Sequence, residues 1–253
     1  MDTHIRYDDK FPSPYTYATR LVPKILEITG KVESIVDVGG GIGAWCKAFK
    51  ESGVTRILCI DAPEIEPSEL LINESEFYSC DLTATFPTPI RCDLAICLEL
   101  AEHLPPGQSQ ELVRFLTCSS DIVVFSASIP GQPGRGHINE QPPVFWKRQF
   151  KEFGFEQWDL IRPRIVFESD IPYWYRQNMF IYASKNWSDH LNAMSSAYSG
   201  IPEDFELVHK RVLDIYRSPP AEVGLGTLVR GFPNAFKSTL NRRFFLSKKA
   251  RRH

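Results

Sequence analysis

An acidic residue and a set of spaced glycines stand together in the segment SIVDVGGGIGAWCKAF, residues 34–49. Asp37 precedes Gly39, Gly41 and Gly43, which separate a short apolar, β-branched run from a helical pattern. A glycine turn between a strand and a helix lets a ligand approach the bare backbone, and the free N–H groups at the helix N-terminus face that ligand. The segment therefore predicts a binding site for a nucleotide-like cofactor.

Two classes of cofactor fit this turn, and the first is a dinucleotide. Gly39-x-Gly41-x-x-Ala44 matches the dinucleotide-binding fingerprint, and Asp61 follows about twenty residues later, where an acidic residue would bind a ribose hydroxyl. A protein of this class would be an NAD-dependent oxidoreductase or epimerase. Against this interpretation, the chain lacks a Tyr-x-x-x-Lys catalytic pair.

The second class is S-adenosylmethionine (SAM), whose binding turn has an acidic residue two positions before the first of three alternating glycines. Asp37 occupies that position. A carboxylate there would repel a pyrophosphate, whereas SAM has no phosphate and carries an ammonium and a sulfonium. Two unit charges a few ångströms apart interact by about 4 kcal/mol at an intermediate dielectric, so Asp37 favours SAM over NAD. A carboxylate that only accepts hydrogen bonds from loop amides would fit either cofactor.

Two histidines are candidates for the proton transfer that methylation of a hydroxyl requires. Transfer of a methyl group from a sulfonium is an in-line displacement, and imidazole is the usual base for an oxygen nucleophile. His137, in GRGHINEQ, is the preferred candidate, and His103, in ELAEHL, is the second, with packing under the cofactor as its alternative. Asn139, Glu140 and Gln141 add hydrogen-bonding groups that suit a polyhydroxylated acceptor.

The loop that carries His137 also contains Gly131, Gly134 and Gly136. These glycines favour a movable lid, with a loop that folds back and braces itself as the alternative. His137 and Glu140 stand alone, without other His, Asp or Glu residues at metal-ligand spacing. The sequence therefore gives no metal site.

The elements that would position these residues alternate between strands and helices. Five strands are predicted, at 34–38, 56–60, 76–79, 92–98 and 121–127. Helices are predicted at 15–29, 42–52, 67–72, 106–117 and 142–153. Such alternation predicts parallel strands with right-handed crossovers and helices on both faces of the sheet.

The carboxyl ends of these strands carry most of the candidate site residues. Asp37, Asp61, Asp81 and Glu99 lie at or next to predicted strand ends, and the loop at 128–141 follows the fifth strand. In an open sheet of this kind the ligand binds beyond the carboxyl ends of the strands. We therefore expect these residues to form one site.

Two further strands are predicted around 155–167 and 173–184, joined without a helix. They would form an antiparallel hairpin at the edge of the sheet and bring the number of strands to seven. The last strand would begin with the run 174–177, WYRQ, either as part of a buried hairpin or as the lining of a sugar pocket.

Composition is that of an ordinary soluble globular protein, with 43% hydrophobic and 24% charged residues. We expect a cytoplasmic location, because no apolar run reaches membrane-spanning length and the first ten residues are too polar for a signal peptide. The six cysteines include no C-x-x-C pair, which favours reduced thiols over disulfides or zinc ligands.

Charge is unevenly distributed along the chain. From Arg230 to the end there are eight Lys and Arg residues and no Asp or Glu, while the preceding residues carry 21 basic and 31 acidic side chains. We expect a domain at 1–185 and a helical, basic extension at 186–253. One interpretation of the tail is a surface helix that contacts anionic lipid, and the other is an appended helix with a solvated end. The acidic body argues against a nucleic-acid groove.

With its acidic glycine turn and terminal hairpin, the chain resembles the class I SAM-dependent methyltransferases, which have a Rossmann-like, doubly wound α/β fold. Uncharacterised bacterial methyltransferases found among glycan and polysaccharide biosynthesis genes are similar, in order, to VDVGGGIGAWCKAF, CIDAP, CDLTATF, CDLAICLELAEHL, FSASIPGQPGRGHINEQPPVFWKRQF and WYRQNMFIYAS. The resemblance covers about residues 15–184 and is most specific at GHINEQ.

This resemblance implies roles for individual residues in SAM binding. Gly39, Gly41 and Gly43 would admit the methionine end of SAM, with Asp37 near its amino group. Asp61 would accept hydrogen bonds from both ribose hydroxyls. Gly40 stands where many relatives carry another small residue, and no role is assigned to it.

Further roles are implied at the ends of the third and fourth strands. Asp81, with the backbone of Leu82, would meet the adenine edge, whereas the alternative is that Asp81 caps a turn through Thr83. Glu99 would face the methyl-donating side. The alternative is that Glu99 and Glu102 are solvated residues before the next helix.

The sequence thus predicts an enzyme that transfers a methyl group from SAM to an oxygen of a sugar or glycan-biosynthesis intermediate. The NAD-dependent enzyme stays open as one alternative. A SAM-fold protein that binds the cofactor but acts as a scaffold or regulator is the other. The sequence leaves the acceptor and the oligomeric state open, because fold does not specify function.

Overall fold

The computed structural model describes residues 13–196, which form a seven-stranded sheet between two layers of helices. The strands are β1 (Ser34–Val38), β2 (Arg56–Asp61), β3 (Phe77–Ser79), β4 (Leu94–Leu98), β5 (Ile122–Ser126), β6 (Phe155–Trp158) and β7 (Phe180–Ser184). Their order across the sheet is β3-β2-β1-β4-β5-β7-β6. The predicted Rossmann-like α/β fold is confirmed.

Strands β1 to β5 are parallel, and the last two strands reverse direction. β1 pairs with β2 and β4, with Ile35 opposite both Ile57 and Leu94. β7 runs antiparallel to both β5 and β6, as predicted for the end of the sheet. The strand order changes direction between β1 and β4, and ligands of open α/β sheets bind in the crevice at such a point.

Seven helices accompany the sheet in the part of the chain that the structure describes. They are α1 (Pro14–Thr29), α2 (Ala44–Glu51), α3 (Ser109–Ser119), α4 (Pro143–Glu152), α5 (Arg162–Ile165), α6 (Tyr173–Asn178) and α7 (Ser188–Ser196). Pro14 begins α1, at a position where a backbone N–H would have no partner within the helix. Gly30, with φ 70°, ends the helix. The helix predicted at 67–72 is shorter, a single 3-10 turn at Pro67–Glu69.

The central strands contribute to two hydrophobic cores, one on each face. Every residue of β1, β4 and β5 is buried, which explains their continuous apolar runs. Ile35 packs in the core that includes α1 and α2, whereas its neighbour Val36 packs in the core that includes α3. Asp37 follows on the same strand and is therefore a carboxylate inside a buried strand.

The sequence prediction is wrong for the connection between β6 and β7. Both strands are shorter than expected, and α5 and α6 lie between them. Residues 174–177 belong to α6 and do not start the last strand. Tyr175 packs with ring centroids 5.5 Å from Trp45 and 5.4 Å from Tyr17, so α6 covers the face that carries α1 and α2.

Most of the predicted C-terminal extension lies outside the described residues, including the basic tail and the helices expected there. Its described beginning is a 3-10 turn at Lys185–Trp187 followed by α7. The boundary at residue 185 stays a prediction. Within residues 13–196, no helix combines the length and apolar character needed to cross a bilayer.

Candidate active site

The turn between β1 and α2 is tied to β2 by two of its amides. The N–H of Gly39 donates to the Ile60 carbonyl at 2.8 Å, and the N–H of Gly41 donates to Oδ2 of Asp61 at 2.6 Å. Gly39, Gly41 and Gly43 have φ values of 77°, 57° and 82°. Residues with side chains rarely adopt this conformation, so the spacing of the glycines follows from the path of the backbone.

The space around each glycine separates the packed side of the turn from its open side. A Cβ built on Gly39 would lie 2.7 Å from Leu100, and one built on Gly43 would lie 2.8 Å from Ile72. A Cβ built on Gly41 would have no atom within 4 Å. A cofactor can therefore approach the backbone at Gly41, where the turn forms an open cradle.

Gly40 has a different role, which the sequence did not indicate. A Cβ built on Gly40 would lie 2.5 Å from Oδ2 of Asp37 and 2.7 Å from Sγ of Cys59. These distances are too short even for alanine. Glycine is required here because the turn packs directly on the carboxyl group below it.

Asp37 is 1% exposed and lies beneath the turn, with the Cys46 thiol 4.0 Å from Oδ2. Burial raises the pKa of Asp37 well above its usual range, and the nearby Asp61 raises it further. A negatively charged ligand group next to the turn would further disfavour the ionised form of Asp37, whereas a cationic ligand group would stabilise it. The turn therefore fits a cationic group better than a pyrophosphate.

Asp61 ends β2 and holds both the turn and its own strand end. Besides the Gly41 bond, its Oδ1 accepts the N–H of Ala62 at 2.6 Å. Burial raises the pKa of Asp61. A carboxylate offers about four lone-pair positions, so two stay available for hydroxyl donors. The predicted ribose contact is compatible with this geometry and stays a prediction.

Asp81 caps a local turn through Thr83, which the sequence offered as the alternative to an adenine contact. Its exposed side chain accepts hydrogen bonds from the Thr83 N–H at 2.9 Å and from the Thr83 hydroxyl at 2.6 Å. The hydroxyl bond lowers the pKa of Asp81. The side chain of Leu82 is buried in the core around α3, which leaves its backbone for a ligand. The adenine contact stays a prediction for both residues.

Glu99 follows β4 and has an unusual backbone conformation. It is the only residue other than glycine with a positive φ, 55°, among residues 13–196. Such strain amounts to about 1–3 kcal/mol and is concentrated at functional sites. Its half-buried carboxylate accepts hydrogen bonds from Gln132 at 3.1 Å and Asn178 at 3.5 Å. Burial raises the pKa of Glu99.

Glu102 is 0% exposed, so the interpretation of this residue as solvated is wrong. Its Oε1 accepts the Ser128 hydroxyl at 2.8 Å, while Oε2 has no hydrogen-bond partner. Burial raises the pKa of Glu102 well above its usual range, and the carboxylate of Glu99 adds to this effect. Two carboxyl groups therefore lie together at the end of β4.

The two candidate histidines lie side by side. The ring centroids of His103 and His137 are 5.0 Å apart in an edge-to-face arrangement. Nδ1 of His137 lies 3.0 Å from Oε1 of Glu140, whose Oε2 accepts the Gly131 N–H at 2.7 Å. Burial lowers the pKa of His103. The expectation that His137 is isolated from other metal-ligand residues is wrong, because Glu102 and His103 each have a ligand atom within 4.8 Å of one on His137.

The loop at 128–141 is braced against the turn that follows β4. The Glu102 carbonyl accepts the N–H groups of Ile138 at 2.8 Å and Asn139 at 3.0 Å. The buried Asn139 amide donates to the Ala101 carbonyl at 3.2 Å and to the Ser109 hydroxyl at 3.0 Å. The loop therefore has the braced form that the sequence analysis gave as the alternative to a lid.

Four polar residues that surround Glu99 are not indicated by any motif in the sequence. They are Ser128 and Gln132 from the loop after β5, and Gln177 and Asn178 from α6. One signal was available, the polar pair at 177–178 that interrupts an apolar run before β7. The side chains meet only in the folded chain, so their spacing carries no motif.

These features define a Rossmann-like protein with an open glycine turn after β1 and a buried polar, partly acidic cluster at the ends of β4 and β5. A family model described as a methyltransferase domain matches residues 11–160, more than half of the chain. The chain belongs to this methyltransferase domain family. No curated protein matches it.

Solved methyltransferase structures are similar to this chain at low identity. SAM-bound CalS10, an amino pentose methyltransferase from Micromonospora echinaspora, is 12% identical with a TM-score of 0.51, over 68% of this chain and 91% of that one. A SAM-dependent methyltransferase from Archaeoglobus fulgidus is 18% identical with a TM-score of 0.48, over 67% and 93%. Human N-acetylserotonin methyltransferase in complex with SAM is 14% identical with a TM-score of 0.47, over 67% of this chain and 52% of that one.

Proposed function

We propose that this protein is a SAM-dependent methyltransferase that methylates an oxygen of a sugar or glycan-biosynthesis intermediate. The observation that carries the proposal is the open cradle at Gly41. The carboxyl groups of Asp37 and Asp61 lie next to this turn. Leu100, which follows β4, packs against the turn at Gly39. This arrangement places a cofactor site next to a mostly buried polar cluster that contains two histidines. The likeness to SAM-bound CalS10 supports the choice of cofactor.

The residues present at the cradle fit SAM. Gly41 would lie against the methionine end, and the buried Asp37 would provide negative charge near the ammonium. Asp61 would hold the ribose hydroxyls, and Asp81 with Leu82 would lie at the adenine end. SAM supplies an activated methyl group on a positively charged sulfur. The carboxylate of Glu99 would lie on the side from which that methyl group leaves.

The chain's own part in the reaction is to position the acceptor and remove its proton. His137 is the proposed base, because Glu140 holds its Nδ1 and so fixes the ring, with Nε2 on the side that faces Gly134. His103 lies against it and would support the same proton transfer. Because Gln132 and Asn178 engage the Glu99 carboxylate, they would fix its direction toward the reacting groups.

A sugar acceptor suits the groups that border the histidines. Gln141 and Glu140 make hydrogen bonds within the braced loop, and their oxygens keep further acceptor positions for a ligand. Ile138 is 61% exposed beside them. Sugars combine hydroxyl groups with apolar faces, so a mixed surface of this kind is suited to bind them. The acceptor would be a small molecule or a glycan, not a nucleic acid.

Calorimetry on the full chain with SAM, S-adenosylhomocysteine and NAD tests the cofactor. We expect micromolar binding of the two adenosyl ligands and its loss in Asp61→Ala. Asp121→Ala is the matched control, because that carboxylate pairs with Arg91 at 3.1 Å and lies just before the amino end of β5, away from the carboxyl ends of the strands. Binding of NAD alone would overturn the proposal.

Methyl transfer tests the acceptor and the base. S-adenosylhomocysteine release is measured with a panel of hydroxylated sugars, and a product is identified by mass spectrometry. On an active acceptor, His137→Ala should reduce kcat by about 100-fold or more, the usual contribution of a general base, and leave KM for SAM unchanged. Full turnover in both His137→Ala and His103→Ala would show that neither imidazole is the base.

A further inference from the structure

Three potential metal ligands come together beside the cofactor cradle. Glu102, His103 and His137 each have a ligand atom within 4.8 Å of the other two. Glu102 and His103 follow β4, whereas His137 arrives 34 positions later on the loop after β5. The fold assembles this set, and no spacing in the sequence indicates it.

One imidazole of the set has a hydrogen-bond partner, and the other packs beside a glycine. Nδ1 of His137 contacts the Glu140 carboxylate at 3.0 Å, whereas Nδ1 of His103 lies 3.6 Å from the position of a Cβ built on Gly136. Metal-bound histidines almost always donate the second N–H to a carboxylate or a carbonyl, which fixes the tautomer and the ring orientation. Glu140 therefore orients the His137 ring and leaves its Nε2 for a cation, on the side of the ring that faces Gly134.

The carboxyl group of Glu102 provides an independent observation. Its side chain is fully buried, and Oε2 has no hydrogen-bond partner. Buried polar atoms are rarely left in this state, so an unpartnered carboxylate oxygen calls for an unseen cation or proton. Glu99 is its close neighbour, so a proton held between the two carboxyl groups is the alternative to a cation at this position.

We propose that Glu102, His103 and His137 form a binding site for a divalent transition-metal ion, with Zn²⁺ as the best match. Two imidazole nitrogens and one carboxylate oxygen are a known ligand set for zinc, and they leave a fourth position open. Mg²⁺ and Ca²⁺ prefer oxygen ligands, so two nitrogens disfavour them. The set lies between the buried turn after β4 and the braced loop, which holds His137 at 10% side-chain exposure.

One consequence rests on the proposed function. A coordinated imidazole has no free lone pair on that nitrogen, so a filled site removes the proposed base. Zn²⁺ should then inhibit methyl transfer, and a chelator should restore it. The existence of the metal site itself rests only on the geometry of the three side chains.

Metal binding is measured on the full chain, freed of any affinity tag and stripped with a chelator. Co²⁺ is titrated and followed by its visible absorption, and Zn²⁺ by competition and by elemental analysis. We expect one equivalent, with affinity lowered by at least about 10-fold in Glu102→Gln, His103→Ala and His137→Ala. His190→Ala is the control, because His190 contacts the Ile28 carbonyl outside the cluster.

The outcomes separate this inference from the proposed function. Absence of metal uptake by the wild-type protein, or equal uptake by a His103→Ala/His137→Ala double variant that melts cooperatively, would overturn the metal site. SAM affinity measured on the same stripped samples tests the cofactor independently. Metal uptake without SAM binding would support the site while the proposed function fails.

Discussion

The glycines of the β1–α2 turn differ in what their missing side chains permit. At Gly39, Gly40 and Gly43 the absent Cβ allows close packing against Leu100, Asp37 and Ile72. At Gly41 it leaves open space. A single methyl group therefore distinguishes a glycine needed for the fold from one needed for the ligand.

Gly41→Ala should weaken SAM binding by at least about 10-fold, because the added methyl group would project into the cradle. Forcing alanine to a φ of 57° should cost about 1–2 kcal/mol, which lowers Tm by roughly 2–8 °C. Calorimetry measures the affinity, and a thermal melt measures the stability.

Gly53→Ala is the matched control for that strain. Gly53 has a φ of 99° with open space around its Cβ position, but it lies at the far end of α2. It should lose a comparable amount of stability and bind SAM normally. If Gly41→Ala also binds SAM normally, the cradle is assigned to the wrong residue.

Asp37→Asn should alter how stability depends on pH. Burial raises the pKa of Asp37, so its contribution to stability is present at low pH and is lost as pH rises through the folded-state value. Asparagine has no such titration. The Tm of Asp37→Asn relative to wild type should therefore increase as the pH rises above the ordinary titration range of an aspartic acid.

The same variant should bind SAM more weakly, because a neutral amide attracts an ammonium less than a carboxylate does. The control is Asp121→Asn, whose exposed carboxylate lies before β5 at the other edge of the sheet. A Tm difference between Asp37→Asn and wild type that stays constant with pH would mean that Asp37 has an ionic partner in the folded protein.

At the scale of elements, the sequence predicted β1 to β5 and α1 to α4 to within about two or three residues at most boundaries. Those elements have period and end signals in their own residues, such as Pro14 and Gly30 around α1. The connection from β6 to β7 has an apolar, aromatic run that suits a strand or a helix equally. In the structure this run includes α6, whose Tyr175 packs on Trp45. That contact joins residues 130 positions apart, so no local sequence pattern indicates it.

The same reasoning explains which parts of the site were predictable. The cradle was found because Asp37 and its glycines are close in sequence. The surroundings of Glu99 were not, because Gln132 and Asn178 lie 33 and 79 positions away. A loop seen as a movable lid in the sequence is braced in the structure, because the partners of Asn139 come from the segment after β4.

Asn139→Ala tests the role of that loop as an element. Asn139 is buried, and its side chain donates to Ala101 and Ser109 and accepts from Gln141 at 3.0 Å. Loss of these bonds leaves buried groups unsatisfied and should destabilise the protein by about 1–3 kcal/mol. Because His137 is carried by the same loop, kcat should fall as well.

Gln141→Ala is the comparison for Asn139→Ala, since it removes only the bond that Asn139 accepts and lies partly in solvent. It should lower Tm by less. Circular dichroism melts and initial rates on an active acceptor measure both effects. Equal losses of stability in the two variants would mean that Asn139 does not anchor the loop.

For the whole molecule, the sheet order places the cofactor cradle and the acceptor side on either side of one crevice. The cradle follows β1, whereas Glu99, Glu102 and His103 follow β4, and the strand order changes direction between these two strands. His137 joins them from the loop after β5. Two hydrophobic cores support the sheet from opposite faces, so the strand ends at the crevice are fixed by buried residues. Ligand binding at this edge should therefore be coupled to the stability of the folded chain.

SAM and S-adenosylhomocysteine should each raise the Tm of the full chain, and NAD should not. A ligand that binds only the folded state stabilises it by about 2.7 kcal/mol at a hundredfold excess over Kd. For a chain of this size each kcal/mol corresponds to roughly 2–4 °C, so the expected shift is about 5–10 °C. Asp61→Ala should lose the shift, while Asp121→Ala keeps it. A shift with NAD and none with the adenosyl ligands would assign the cradle to a dinucleotide, in spite of the carboxyl group buried beneath it.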